Sequence, residues 1–223
     1  GFLPFLLLLI APTLFAVIRR ENPIWALIAC FVPAGVAVGV INLTVALVDM
    51  SSAEEAIASP VIYSPIALGL ILSYVCRGLA PPYEYKPENT GAIGFGICSL
   101  VSGVSMYNYG LYFIEGADIL LNLGAFFSTY AVILCCFAFN DKTQLSIGEV
   151  MAKAGLFTCL LGAVSMVTLY TAASAGGVVR EVGPPLAMSQ LIMLYGALVL
   201  IAASASGIRP STDRELITRD WHI

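Results

Sequence analysis

The chain has 223 residues, of which 59% are hydrophobic and only 11% charged, and its mean hydropathy is +0.92. A soluble domain carries roughly 25% charged residues, so this composition cannot cover a water-facing surface. With a net charge of −4, an isoelectric point near 4.9 and no basic run, nothing in it marks a nucleic-acid partner. A helical bundle in a lipid bilayer is the class that fits.

The charged residues leave seven charge-free intervals, at 1–18, 22–48, 56–76, 89–114, 119–140, 154–179 and 182–208. Each is long enough for a spanning helix, which needs about 17–25 residues. Inside hydrocarbon only helices or closed barrels satisfy the backbone, and these intervals are too long and too evenly apolar for barrel strands. The expected fold is therefore all-α, an integral membrane protein forming one membrane domain over residues 1–223. Its seven transmembrane helices are expected at about 2–18, 24–48, 58–76, 90–114, 119–140, 152–175 and 185–208.

Loop charge gives the orientation. Arg19, Arg20, Arg77, Lys86, Lys142, Lys153, Arg209, Arg214 and Arg219 fall on one side of a seven-helix arrangement, and only Arg180 falls on the other. The positive-inside rule then places the N-terminus outside and the C-terminus inside. The first interval is not read as a signal peptide, whose positive charge precedes its apolar region; here Arg19 and Arg20 follow it. The first residue is Gly1, so a segment removed upstream stays an open alternative. The membrane is expected to be a bacterial or archaeal cytoplasmic membrane, with an organelle inner membrane as the alternative.

In chain order, the second helix carries Gly35 and Gly39, a GxxxG pair that reads as a helix-packing face. Asn42 lies toward its outer end. The third helix begins at Pro60 and contains Pro65, which predicts a kink, with Tyr63 and Tyr74 toward its two ends. A Pro-rich inner connector, 77–89, follows. The fourth helix carries small residues, Gly94 and Gly103 among them, that invite close packing. Asn108 and Tyr109 follow in the same helix, and Glu115 and Asp118 form an acidic outer mouth or a solvated helix end. The fifth contributes Asn122 and Tyr130, the sixth begins with Glu149 and Lys153 at a pairing distance of one turn, and the seventh holds Gln190 and Tyr195. A charged tail, 209–223, ends the chain on the cytoplasmic side.

The chemistry that is missing narrows the function. His222 is the only histidine, and the six cysteines have neither zinc-site nor CxxC spacing. No haem, metal or other cofactor is expected, and with no catalytic motif present no catalytic residue is assigned and the chain is read as not an enzyme. No apolar interval contains a lysine, which excludes a retinal Schiff base, and no charge lies near a helix centre, which disfavours ion-coupled transport. What remains is uncharged polarity. Asn42, Tyr63, Tyr74, Asn108, Tyr109, Asn122, Tyr130 and Gln190, with Tyr195, are candidates to line a narrow path selected by width and hydrogen bonding. The alternative is that they bond between helices or sit in the interfacial aromatic belt.

Several of these features together resemble the six-helix urea and amide channel family over about residues 2–175. They are an outward first helix, the basic turn Arg19–Pro23, an acidic loop after the second helix, VIYSPIALGLILSYV at 61–75, and the aromatic, proline-containing connector at 81–87. Gly94, Phe95, Gly96, Asn108, Tyr109 and Gly110 are also loosely similar to acetate-uptake channels. The resemblance implies a ring-shaped oligomer with one pore per subunit. Two departures stand out: a seventh helix, and no loop histidine of the kind used for acid gating in urea channels.

Two functions follow as expectations. The first is a channel or facilitator for a small solute such as urea, a short amide or a short carboxylic acid, working as a homo-oligomer. The second is a non-catalytic subunit of a larger membrane complex, respiratory, photosynthetic or other, packed against other membrane subunits.

Overall fold

The computed structural model describes residues 3–18, 22–49, 60–81, 97, 99–104, 120–140, 147–176 and 183–205. Its elements are helices: α1 (Leu3–Ile18), α2 (Pro23–Asp49), α3 (Pro60–Leu79), α4 (Leu123–Asn140), α5 (Ile147–Gly176) and α6 (Gly183–Ala205), with residues 99–104 also helical. Five of them, α2 to α6, are long and apolar enough to cross a membrane, and α1 is a shorter apolar helix. Such helices are compatible with an integral membrane protein. Most of the expected helix at 90–114, with Gly94, Asn108 and Tyr109, lies outside the described residues. So do Glu115 and Asp118, the connector from residue 82 onward and the tail 209–223.

Helix starts follow local chemistry more closely than charge. Asn22 caps α2, its Oδ1 accepting from the Ile24 amide at 3.1 Å, and Pro23 takes the first helical position, where its missing N–H is harmless. Asn122 does the same for α4, accepting from the Ala125 amide at 3.0 Å, so that helix begins at Leu123 rather than 119. At the other end of α3 the helix runs past Arg77 to Leu79 and stops before Pro81, because a residue preceding proline disfavours the helical conformation. Helix α5 begins at Ile147, with Glu149 in its first turn, where a carboxylate suits the helix dipole. Charge therefore bounds the apolar stretches, whereas caps and prolines set the helix ends.

Helices α2 and α6 form the centre: 67% and 61% of their apolar stretches are buried, against 11% for α3 and for α4. Their shared core includes Ile41, Val38, Leu194 and Ile201, with Phe5 and Leu8 of α1 packed onto it. Phe5 stacks on Phe31 with ring centroids 6.4 Å apart. The two central helices are antiparallel, since Thr44 meets Gln190 near one end and Cys30 meets Ser204 near the other. The separation is the same on both helices, about 21 Å at 1.5 Å per residue.

The flanking helices dock by backbone contact. A Cβ on Gly35 would stand 2.5 Å from the Pro65 carbonyl oxygen, one on Gly39 2.7 Å from that of Ile62, and one on Gly69 would collide with the Phe31 carbonyl. The Gly35/Gly39 pair thus packs α2 against α3, as its spacing suggests. A second seam joins α5 and α6, where a Cβ on Gly162 would lie 2.7 Å from the Ser189 carbonyl and one on Gly196 2.6 Å from the Cys159 amide. Around Gly103, by contrast, a Cβ would meet no described residue within 4 Å.

These contacts also fix direction. Ser73 of α3 donates to the Ile28 carbonyl at 3.3 Å and Asn42 of α2 donates to that of Val61, so α3 runs against α2. The start of α4 lies beside α6 near Met188 and Tyr195. Consequently α3, α4 and α6 all begin at the end of the bundle where α2 finishes.

Candidate functional site in the central seam

Most polar side chains of the described helices bond to backbone carbonyls or amides. Pro65 has no N–H, so the Val61 carbonyl one turn before it loses its helical partner. Asn42 replaces that partner from the neighbouring helix, its Nδ2 donating to Val61 at 3.1 Å, and the Ser64 hydroxyl adds a longer bond at 3.4 Å. A proline inside a membrane helix is tolerated through this kind of substitution.

Tyr195 works similarly at the start of α4. Its hydroxyl donates to the Leu120 carbonyl at 2.7 Å and accepts from the Asn122 amide at 3.2 Å, so both halves of the hydroxyl are used. At the far end of the central seam Ser204 donates to the Ile201 carbonyl at 2.6 Å. Its single proton is thereby committed, and the thiol of Cys30, 2.7 Å away, is left as the donor to the serine oxygen.

Gln190 breaks this pattern. It is 1% exposed, and its Nε2 is buried without a hydrogen-bond partner. Its Oε1 faces the Thr44 hydroxyl at 3.2 Å, but that hydroxyl also donates to the Val40 carbonyl at the shorter distance of 2.9 Å. Threonine has one hydroxyl proton. Once it is given to Val40, the amide of Gln190 is better placed the other way round, with Nε2 donating to the threonine oxygen. The orientation of a glutamine amide is assigned from just such a network. Either way, one end of the Gln190 amide is matched and the other is not. An unmatched buried polar atom costs about 1–3 kcal/mol.

The other candidates separate clearly. Asn42, Asn122, Gln190 and Tyr195 are brought into the same half of the bundle, the half where α2 ends and α3, α4 and α6 begin. Tyr63 and Tyr74 lie on exposed parts of α3, Tyr74 being 83% exposed near its far end, and Tyr130 is 50% exposed on α4. These three tyrosines do not converge on Gln190. Thr44 was missed as a partner by sequence reasoning, because a threonine five residues from the end of α2 carries no signal of what it faces. The α5–α6 seam is built on small residues as well: Gly155 and Gly162 are spaced seven apart, with Cys159 completing the row.

Compared with protein-family models, curated proteins and solved structures, the chain matches none of them.

Proposed function

We propose that this chain is a membrane facilitator for a small neutral solute, of the size of urea, a short amide or an undissociated short carboxylic acid. The observation that carries this reading is the half-matched amide of Gln190, a recognition-grade polar group kept in the apolar centre of the bundle. Selectivity by hydrogen bonding requires no titrating side chain, and the charges on the described helices stay near helix ends, as with Asp49, Arg77, Glu149 and Lys153. The bundle is read as seven helices with the N-terminus outside and the C-terminus inside. Two observations support that count: α3 ends and α4 begins at opposite ends of the bundle, and the stretch between them contains the charge-free interval 89–114. The test is permeation of urea, acetamide and acetic acid into liposomes containing the purified protein. A rate above that of protein-free liposomes supports the reading, and equal rates for all three refute it.

A second reading, a non-catalytic subunit of a larger membrane complex, is favoured by α4. Tyr130 sits near the middle of that helix on a half-exposed face with Phe126, Phe127 and Leu134. A tyrosine hydroxyl at that depth is better served by protein than by lipid tails. Gentle detergent extraction followed by native mass measurement separates the two: a foreign partner in fixed stoichiometry supports the subunit, and a homo-oligomer counts against it.

A further inference from the structure

We infer that Gln190 and Thr44 form a binding site, within the α2–α6 seam, for one small neutral molecule that carries an N–H or O–H donor. The inference deepens the facilitator reading and rests on it for its biological sense, though not for its geometry. Thr44 commits its proton to the Val40 carbonyl at 2.9 Å, so the contact 3.2 Å away is best made by the Gln190 amide nitrogen donating to the threonine oxygen. That orientation carries Oε1 to the position at which Nε2 finds no partner among the described residues. The unsatisfied group is then an acceptor, and its complement is a donor.

The surroundings set the rest of the ligand's chemistry. Val40, Ile41, Leu191 and Leu194, which flank the pair along the two helices, are buried and apolar. A charged ligand would lose its hydration there without a counter-charge, so the molecule must be neutral. Gln190 lies about two turns from the start of α6, which places the site in the half of the bundle that also holds Asn42, Asn122 and Tyr195. Urea, short primary amides, small alcohols and undissociated acids share the required donor. Water has it too, as the smallest member of the class.

This 223-residue chain contains two glutamines, Gln144 and Gln190, so selective ¹⁵N-glutamine labelling of the chain yields two side-chain amide signals. Gln190→Leu removes one of them and assigns it. Titration with urea or acetamide is expected to shift the Gln190 signal saturably. Acetone, which matches acetamide in shape but has no N–H, is expected to leave it unmoved. Thr44→Val, which frees the amide to rotate, should weaken the acetamide response about tenfold, the equivalent of one hydrogen bond. Contact with water and no response to urea or acetamide would reduce the site to a structural water and overturn the inference. An equal response to acetone, or no response to any probe, would overturn it as well. A saturable shift without liposome permeation would leave the site standing and remove the facilitator reading, and permeation without a shift would do the reverse.

Discussion

The α2–α3 and α2–α6 seams share one helix and yet are built on opposite principles. Along α2–α3, Gly35, Gly39 and Gly69 bring backbones into contact, and the carbonyl freed by Pro65 is supplied with a partner by Asn42. Polarity there is consumed by the fold. Along α2–α6 large side chains interlock, the Cys30–Ser204 contact is balanced, and Gln190 keeps hydrogen-bonding capacity that no described residue uses. An uncharged polar residue in a membrane helix is therefore judged by whether its bonds are already spoken for. By that criterion Asn42 is structural and Gln190 is available.

The contrast can be broken most severely at the glycine seam. Gly69→Leu puts a branched side chain where even a Cβ meets the Phe31 carbonyl. Overpacking of this kind costs about 1–3 kcal/mol and occasionally more, and here backbone rather than a flexible side chain must yield. Thermal unfolding in detergent should show the largest loss of the series, at or above the top of that range. A loss below 1 kcal/mol would mean that the α2–α3 contact is looser than described.

Asn42→Leu comes next. Removing the donor leaves the Val61 carbonyl with only the 3.4 Å bond from Ser64, and interhelical hydrogen bonds in membranes are worth about 0.6 kcal/mol on average, up to about 1.7. We expect a loss near 1 kcal/mol. In the Pro65→Ala background, where residue 65 regains an N–H for Val61, the same substitution should cost much less. Equal costs in both backgrounds would contradict the assigned role of Asn42.

Gln190→Leu should act in the opposite direction. It deletes an unmatched polar atom while Thr44 keeps its bond to Val40, so stability in the absence of solute should be unchanged or raised by up to about 1–3 kcal/mol. A marked destabilisation would mean that Gln190 is holding the helices together. The smallest effect belongs to Gly103→Ala, where a Cβ meets no described residue within 4 Å; a change within about 0.5 kcal/mol is expected, as for an uncrowded site.

Much of the helical architecture was legible because apolar length is a one-dimensional signal. The charge-free intervals 22–48, 56–76, 119–140, 154–179 and 182–208 overlap α2 to α6 as observed. Helix ends were less legible, since Asn122 acts through its cap and α5 starts at Ile147 rather than at the expected 152. The Gly35/Gly39 face could be read from its spacing, although its partner, the Pro60–Ile66 turn of α3, could not. The site itself was half legible. Gln190 stands out as an amide in an apolar helix, but its distinction from Asn42 depends on which carbonyl a proline has released and where a single threonine proton goes. Those are three-dimensional facts.

The most direct test compares urea permeation into liposomes containing the wild-type protein, the Gln190→Leu variant or no protein, with unfolding temperatures measured on the same preparations. The account predicts saturable permeation for the wild type, a fall to the protein-free rate for Gln190→Leu, and an unfolding temperature for the variant that is equal or higher. Wild-type permeation retained by a well-folded Gln190→Leu variant would contradict it.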